Sequence, residues 1–243
     1  MSASNPRSCL LQAALRLLSS HGPSEIKARS VSSEAGLSTM GVYTYFGGVP
    51  ELLQAVADEG FNRQLAIFKQ VAGTADPMTD LSAMALACRD FAKSNPHLYD
   101  LMFGLSIQGR YNPVRGVTAA EPKQRSAAFQ ASYGCLRAEC QRMIDQGGVR
   151  TIDPDLMAAQ LWSALHGFIM LELGGHFDAV ADPIEVILVP MCVNLIVGLG
   201  AERKLAEASA EEALSNWRSQ HGRLSKSPSK QKRGTKQVSG GAS

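Results

Sequence analysis

The chain has 243 residues, of which 45% are apolar and 19% charged, so it can bury a sizeable core and is not mostly disordered. Its formal net charge of +2 is unevenly distributed. Six basic residues and no acid lie in 222–243, which leaves residues 1–221 with 18 basic and 22 acidic groups, a net charge of −4. We therefore expect an acidic folded body and a basic, Ser- and Gly-rich tail that is disordered.

The five cysteines form no C-x-x-C pair, which is typical of buried or free thiols in a reducing compartment. The apolar N-terminal segment is interrupted by Arg16 and lacks a cleavage pattern, so it is not typical of a signal peptide. The longest uncharged stretch, 186–201, is shorter than the ~20 residues that span a bilayer. The sequence predicts a cytoplasmic protein without a membrane partner.

Apolar residues recur with helical spacing nearly throughout, and no convincing alternating strand is found. The first helix is predicted between Asn5 and the stop at Gly22, the second at 28–35 before Gly36, and the third from Ser38. Further helices are predicted at 50–71, 77–94, 96–107, 123–146, 154–173 and 183–200, with a weaker one near 205–218. A loop is expected around 109–122. The predicted fold class is all-α, with about nine helices.

Two short helices meet at the sequence Ala-Gly-Leu-Ser, residues 35–38. Gly36 can adopt the positive φ needed to leave the first helix sharply, and Ser38 can cap the second. Leu37 and Val42 have the spacing of a hydrophobic staple, which would fix the angle of entry. A sharp turn between two capped helices is the geometry of a helix-turn-helix, whose second helix lies in a major groove. The sequence therefore predicts a module that binds double-stranded DNA.

The second of these helices carries side chains suited to DNA. Its N-terminus favours phosphate, its tyrosines can donate hydroxyls to phosphate oxygens, and its short or flexible side chains can reach base edges or thymine methyls. Gly41 costs about 1 kcal/mol of helix propensity but allows close backbone approach. Arg29, in the preceding helix, is the one strong cation expected near this surface. The predicted DNA-binding residues are Arg29, Ser38, Thr39, Met40, Gly41, Tyr43, Thr44 and Tyr45.

The segments Ala-Gly-Leu-Ser (35–38), Val-Tyr-Thr-Tyr-Phe (42–46) and Glu-Leu-Leu (51–53) resemble the DNA-binding domain of the TetR family of bacterial transcriptional regulators. The match covers about residues 7–55 in order and spacing. The resemblance implies that Gly36 forms the turn. It also implies phosphate or base contacts from four residues: Arg29, Thr39, Tyr43 and Tyr45. A helical hairpin buried in a larger bundle is the alternative, but it would not explain the consecutive aromatic and polar residues at 43–46.

Members of the family commonly place a lysine just before the Glu-x-Leu-Leu helix start, as a phosphate contact, and here Val49 stands at that position. Either backbone N–H groups of the 47–50 turn replace the contact, or non-specific affinity for DNA is weaker. Residues 1–49 hold four basic and two acidic groups, which is only mildly positive for a DNA-binding face.

Three later segments, 91–99, 101–103 and 162–167, resemble the TetR subgroup whose C-terminal domain has a Trp-His-Gly signature, although here three residues separate Trp from His. The resemblance implies a domain for dimerisation and for an inducer pocket. Trp162 and His166 share one helical face and could hydrogen-bond a ligand, which is expected to be apolar or aromatic. The candidate ligand residues, which could instead be core residues, are Phe91, Tyr99, Met102, Phe103, Phe129, Tyr133, Trp162 and His166.

No metal or cofactor is predicted, because His166 and His176 are ten residues apart and His97 lacks a second ligand in a zinc-type motif. The sequence has no nucleophile elbow, phosphate-binding glycine loop or paired carboxylates, so an enzyme is not predicted. Cys135 and Cys140 could sense oxidants or be inert buried thiols.

The apolar segment 184–200 must be covered on more than one side. The dimer of the resembled family packs its last two long helices against the partner, so we expect 154–173 and 183–200 to form an isologous interface. The predicted domains are a helix-turn-helix DNA-binding domain at 1–50, a helical regulatory and dimerisation domain at 51–205, and a weak helix with a basic tail at 206–243.

The sequence thus predicts a homodimeric TetR-type repressor that a small-molecule inducer releases from a palindromic operator. One alternative is a ligand-independent activator or architectural DNA-binding protein of the same fold. Another is a small helical enzyme with a vestigial DNA-binding domain. The basic tail is either a solubilising terminus or an arm that contacts phosphates without sequence preference.

Overall fold

The computed structural model describes residues 5–71, 73–103 and 126–224, and within them the chain is helical, without a strand. The prediction of an all-α fold is confirmed. The helices are α1 (Pro6–His21), α2 (Ala28–Ala35), α3 (Met40–Phe46), α4 (Val49–Val71), α5 (Pro77–Ser94), α6 (Pro96–Phe103), α7 (Ala127–Asp145), α8 (Pro154–Leu173), α9 (Val189–Gly198) and α10 (Arg203–Leu224). A 3₁₀ turn at Pro23–Glu25 follows α1, and a π-helical segment at Ile184–Leu188 leads directly into α9. The predicted loop at 109–122 and the tail from 225 lie outside the described residues.

Polar residues before a proline start several of these helices. Asn5 Oδ1 accepts from the N–H of Arg7 at 3.0 Å at the start of α1. Asp76 accepts from the first-turn N–H groups of α5, and Asp153 accepts from the N–H of Asp155 at 2.8 Å at the start of α8. Each carboxylate or amide satisfies backbone donors that have no partner inside the helix. This is why the predicted starts of these helices agree with the structure.

α1, α2, α3 and the start of α4 enclose one small core. Its fully buried members are Leu10, Ala13, Ala14, Val31, Val42, Leu52 and Val56. α4 has 23 residues, and its later turns pack on α6 and α7, so that this core is continuous with the core of the C-terminal part. It crosses the predicted domain limit at residue 50, and the domain limits stay a prediction.

α5 lies at the centre of the C-terminal part, against α4, α7, α8 and α10. Arg89 of α5 donates to both carboxylate oxygens of Glu172 at the end of α8, at 2.5 and 2.8 Å. The next residue, Asp90, accepts from the indole N–H of Trp217 on α10 at 2.5 Å. These two acceptors tie α8 and α10 to the same turn of α5.

The weak helix predicted near 205–218 is in the structure the 22-residue α10, which lies along α5. The residues that it buries are mostly alanines: Ala206, Ala210, Ala213 and Leu214. Alanine gives little hydrophobic signal but allows two helices to approach closely. The residues 221–224, predicted as the beginning of a disordered tail, are therefore helical.

The predicted helix at 183–200 is irregular at its start. Pro190 has no N–H to give to the carbonyl four residues back, and its ring crowds that carbonyl. The chain accommodates it with a π turn, in which the N–H of Val189 bonds to the carbonyl of Ile184, five residues back.

Candidate DNA-binding surface and ligand cavity

The turn between α2 and α3 is a Schellman motif. Gly36 has φ +67°, its N–H bonds to the carbonyl of Ser33 at 3.1 Å, and the N–H of Leu37 bonds to the carbonyl of Ser32 at 2.9 Å. Only glycine adopts this conformation without strain. The predicted role of Gly36 in directing α3 away from α2 is confirmed.

The predicted side-chain cap by Ser38 is wrong. Thr39 is the N-cap residue of α3, and it forms no side-chain capping hydrogen bond. The carbonyl of Ser38 accepts from the N–H of Gly41 at 2.9 Å. In this tighter turn the backbone carbonyl of Ser38 takes the hydrogen bond from the Gly41 N–H, which the Ser38 hydroxyl would accept if it capped the helix.

α3 is anchored on its inner side by Val42, which is fully buried, and by Gly41, which faces α1. A Cβ at Gly41 would lie 3.5 Å from Leu10 Cδ1. The small size of Gly41 thus serves the packing of α3 on α1, and the predicted approach of its backbone to DNA stays a prediction. At the end of α3, the Arg7 guanidinium lies 4.8 Å from the centre of the Phe46 ring.

The outer face of α3 is unusually apolar for a surface. Met40, Tyr43 and Tyr45 are 68%, 53% and 42% exposed. Met40, Tyr43 and Thr44 are spaced i, i+3, i+4 and share one face. The other predicted DNA-binding residues, Ser38, Thr39 and Arg29, are also exposed. The structure thus brings seven of the eight predicted residues to the surface of α2, α3 and the turn between them.

Positive charge is scarce on this surface. Three of the four basic residues in 1–49 are engaged: Arg16 with Glu34 at 2.7 Å, Lys27 with Glu25 at 3.3 Å, and Arg7 over the Phe46 ring. Arg29 is exposed and forms no ion pair within the described part of the chain. It is therefore the cation most available to a phosphate.

Val49, at the position where the family commonly has lysine, begins α4 and packs against the core. Glu51 folds back over the preceding turn, so that a Cβ at Gly48 would lie 3.0 Å from Glu51 Oε2. A carboxylate at this helix N-terminus opposes a phosphate. Both predicted consequences of the missing lysine, a contact from the 47–50 backbone and weaker non-specific affinity, stay predictions.

A small cavity of about 40 Å³ lies among α4, α5, α6, α7 and α8. Five of the eight predicted ligand residues lie in its wall: Phe103, Phe129, Tyr133, Trp162 and His166. The wall also includes residues that the sequence analysis missed: Phe61, Gln64, Phe68, Met84, Cys88, Ser132, Leu136 and Leu165. Phe61, Gln64 and Phe68 are spaced i, i+3, i+7 on α4, a signal that could have found them.

The remaining three predicted ligand residues do not line this cavity. Tyr99 and Met102 are fully buried behind its wall, where α6 packs on the rest of the core. Phe91 faces a separate cleft between α5 and α10, near Trp217. All three lie on the inner sides of their helices, but the periodicity of the sequence does not distinguish the wall of a cavity from solid core.

Family comparisons agree with both parts of this geometry. The profile described as "Bacterial regulatory proteins, tetR family" matches residues 10–56. A second profile, "Tetracyclin repressor-like, C-terminal domain", matches residues 81–190. The chain belongs to the TetR family. It is a DNA-binding transcriptional regulator, from a family that is not enzymatic.

Among the relatives of this TetR regulator are two proteins of Mycobacterium tuberculosis. The HTH-type transcriptional regulator Rv1816 is 22% identical over 190 residues, covering 69% of this chain and 81% of its own. The uncharacterized HTH-type transcriptional regulator Rv0681 is 23% identical over 195 residues, covering 79% and 81%. Both relatives are matched over most of their length.

Solved structures share the fold. A Rhodococcus sp. RHA1 protein of unknown function has a TM-score of 0.68 at 24% identity, covering 83% of this chain and 98% of its own. RolR, crystallised with resorcinol, has a TM-score of 0.62 at 16% identity, covering 84% and 92%.

His166 is the central polar group of the cavity wall. Its Nδ1 is hydrogen-bonded to the Tyr99 hydroxyl, and its ring lies 4.3 Å from Phe103 and 5.1 Å from Trp162, centre to centre. Burial lowers the pKa of His166 to about 4, and burial also raises the pKa of Tyr99. Both groups are therefore neutral at pH 7.

The buried thiols of Cys88 and Cys140 are poorly suited to sensing oxidants. Burial raises the pKa of Cys140 to about 12 and that of Cys88 to about 12, and it also raises the pKa of Cys135. The thiolate is the reactive form, so the raised pKa values of Cys88 and Cys140 keep these two thiols protonated at neutral pH. Of the two predicted roles, the structure favours the inert buried thiol for Cys140, whereas Cys135 is only partly buried and its role stays a prediction.

A second apolar surface lies on α8 and on the π-helical segment before α9. Leu156, Met170 and Leu171 of α8 are 58%, 47% and 45% exposed, and Val186 is 58% exposed. α8 is the one helix of the described residues long and apolar enough to cross a membrane, with a mean hydropathy of 1.3, but only 22% of that stretch is buried. A single such helix is weak evidence for a membrane span. Among the described residues, no group of three or more potential metal ligands is found.

Proposed function

We propose that this TetR-family regulator is a homodimeric repressor, and that a small apolar or aromatic ligand releases it from a palindromic operator. The observation that carries the proposal is the outer face of α3. Met40, Tyr43 and Tyr45 are exposed, although apolar side chains of this size are normally buried. A major groove that receives this helix would cover them and offer thymine methyls and phosphate oxygens as partners.

The apolar surface of α8 and the 184–188 segment supports a dimer. A two-fold axis would place the same residues of two protomers face to face and cover Leu156, Met170, Leu171 and Val186. This accounts for the membrane-like composition of α8 without a membrane. A dimer that reads two half-sites requires its third helices about one turn of DNA apart, or a multiple of it. A repressor of chromosomal DNA would act in the cytoplasm.

The cavity beside Trp162 and His166 is the proposed ligand site. The structure of RolR with resorcinol is that of a protein with the same fold and a small aromatic ligand. In the present chain the cavity wall contains six aromatic residues besides His166 and no charged side chain among the residues described as lining it. Such a wall favours an apolar or aromatic ligand.

α6 supports the coupling between ligand and DNA. Phe103, near its end, contacts the cavity, whereas His97, at its beginning, lies beside Gly22 at the end of α1, 3.6 Å from where a Cβ would be. A ligand that displaces α6 would therefore push on the helix that supports α3. For release of the operator, the ligand must bind the DNA-free arrangement more tightly than the DNA-bound one.

The test measures binding to the DNA upstream of the gene by fluorescence anisotropy. We expect Tyr43→Ala to weaken binding by about tenfold, because a phosphate or base-edge contact of about 1–2 kcal/mol is lost. Leu205→Ala is the matched control: Leu205 is 56% exposed, but it lies on α10. Equal binding by the wild type and Tyr43→Ala would remove α3 as the recognition helix.

A further inference from the structure

Tyr99 fixes the position of the proton on His166. Tyr99 is fully buried, and within the described residues its hydroxyl has one hydrogen-bond partner, His166 Nδ1. If Nδ1 donated to this oxygen, the hydroxyl proton would be buried without an acceptor, which is costly. The Tyr99 hydroxyl therefore donates to Nδ1. A neutral imidazole then carries its proton on Nε2.

Gln64, Ser132 and Cys88 of the cavity wall form hydrogen bonds with one another. The Ser132 hydroxyl donates to Gln64 Oε1 at 2.9 Å, and Gln64 Nε2 donates to Cys88 Sγ at 3.4 Å. His166 Nε2, in contrast, has no hydrogen-bond partner among the residues that the structure describes. The Nε2–H group of His166 is thus a directed donor in a cavity wall that is mainly aromatic and aliphatic.

We propose that the ligand is a neutral aromatic molecule with a hydrogen-bond-accepting oxygen, such as an aryl ketone, which accepts from His166 Nε2; this rests on the ligand-responsive function proposed above. A carboxylate is disfavoured, because none of the described residues that line the cavity is Lys or Arg, and burial keeps His166 neutral at pH 7. A pure hydrocarbon would leave the N–H without a partner. Tyr99 is a positioning residue, since it acts only through His166.

The ligand must also enlarge the cavity, whose volume is about 40 Å³. A void that holds benzene measures about 150 Å³. A neighbouring cavity of about 60 Å³ shares three wall residues with it: Leu136, Trp162 and Leu165. Movement of these side chains would join the two spaces, and the ring would then lie against Trp162.

The experiment compares three compounds of similar shape on the full-length protein by isothermal titration calorimetry. Acetophenone has the acceptor oxygen, α-methylstyrene replaces the C=O by C=CH₂, and benzoate adds charge. We expect the wild type to bind acetophenone about 3- to 10-fold more tightly than α-methylstyrene, the range of one net hydrogen bond, and benzoate most weakly. His166→Phe, which keeps an aromatic ring, should bind both neutral compounds equally. His166→Gln, which keeps a donor, should retain part of the preference.

A readout without ligand checks the tautomer. In ¹⁵N-histidine-labelled protein, the signal that disappears in His166→Phe should be that of an imidazole protonated on Nε2, and Tyr99→Phe should shift it. A His166 ring protonated on Nδ1 would overturn the proposal. So would a preference for acetophenone that survives in His166→Phe, or equal affinities of the wild type for acetophenone and α-methylstyrene.

The same compounds are then added to the complex with operator DNA. Release by α-methylstyrene as readily as by acetophenone would leave the proposed repressor function standing and overturn the role of His166. Failure of every compound to bind or to release DNA would overturn this ligand class. In that case a wider panel of apolar compounds is tested. Release of DNA by one of them would leave the ligand-responsive function standing, and release by none would overturn it.

Discussion

Gly60→Ala should disrupt the contact between α4 and α6. A Cβ at Gly60 would lie 2.5 Å from Met102 Sδ and 3.2 Å from Leu98 Cδ1, and Met102 is fully buried, with little room to move. Overpacking of this kind costs about 1–3 kcal/mol, and the severe overlap points to the upper part of that range. The better helix propensity of alanine returns about 1 kcal/mol. We expect a net destabilisation of about 1–2 kcal/mol.

Urea unfolding of five proteins at one protomer concentration measures the effect: the wild type, Gly60→Ala, Gly134→Ala, Met102→Ala and the double variant of Gly60 and Met102. Gly134→Ala is the control, because a Cβ there meets nothing within 4 Å, and it should stabilise α7 by about 0.5–1 kcal/mol. Met102→Ala removes the atoms in conflict, so in its background Gly60→Ala should no longer destabilise. If Gly60→Ala is as stable as Gly134→Ala, or if the two changes at Gly60 and Met102 are additive, the proposed steric conflict is refuted.

Three further outcomes are expected. The pKa of His166 is about 4 in the folded chain and 6.5 in the unfolded chain, so the unfolded chain binds more protons between these pH values. The free energy of unfolding should therefore fall as the pH drops from 6.5 towards 4. In urea unfolding experiments, His166→Phe should make this pH dependence weaker. Leu171→Glu should give a monomer in sedimentation experiments while Leu205→Glu does not, and an unchanged dimer would argue against the α8 interface. Removal of 225–243 deletes five of the six basic tail residues but keeps α10. If the tail contacts DNA, the slope of log binding constant against log salt concentration should become shallower by up to about 0.9 per lost phosphate contact. An unchanged slope would identify the tail as a solubilising terminus.

The sequence predicted best those features that depend on a few neighbouring residues. The Gly36 turn, the start of α1 at Asn5 and the limits of α2 follow from local caps and glycine conformation, and the structure agrees. Ser38 shows the limit of this reasoning. Whether a hydroxyl or a backbone carbonyl takes the N–H of Gly41 depends on the tightness of one turn, which the residue types do not specify.

Features that depend on packing between distant helices were predicted less well. The sequence predicted α10 as a shorter, weak helix because its buried positions are largely alanine, and alanine contributes little to a pattern of hydrophobic residues. The candidate ligand residues were identified as large apolar side chains, yet Tyr99 and Met102 lie behind the cavity. Only the packing of α6 on α4 and α8 separates these positions from the wall formed by Phe103 and Trp162.

The exposed apolar side chains point to partners that a single chain does not contain. Of the eight large hydrophobic residues exposed in the described part of the chain, three lie on α3 and four on α8 and the 184–188 segment, with Leu205 as the eighth. A protomer alone has no reason to expose two such surfaces at separate places. DNA on one surface and a second copy of the chain on the other would cover both. α6 packs on α1, and α4 lines the cavity and packs on both α1 and α3, so a change at the ligand site can reach the first surface through these two helices, whose mutual contact includes Gly60 and Met102.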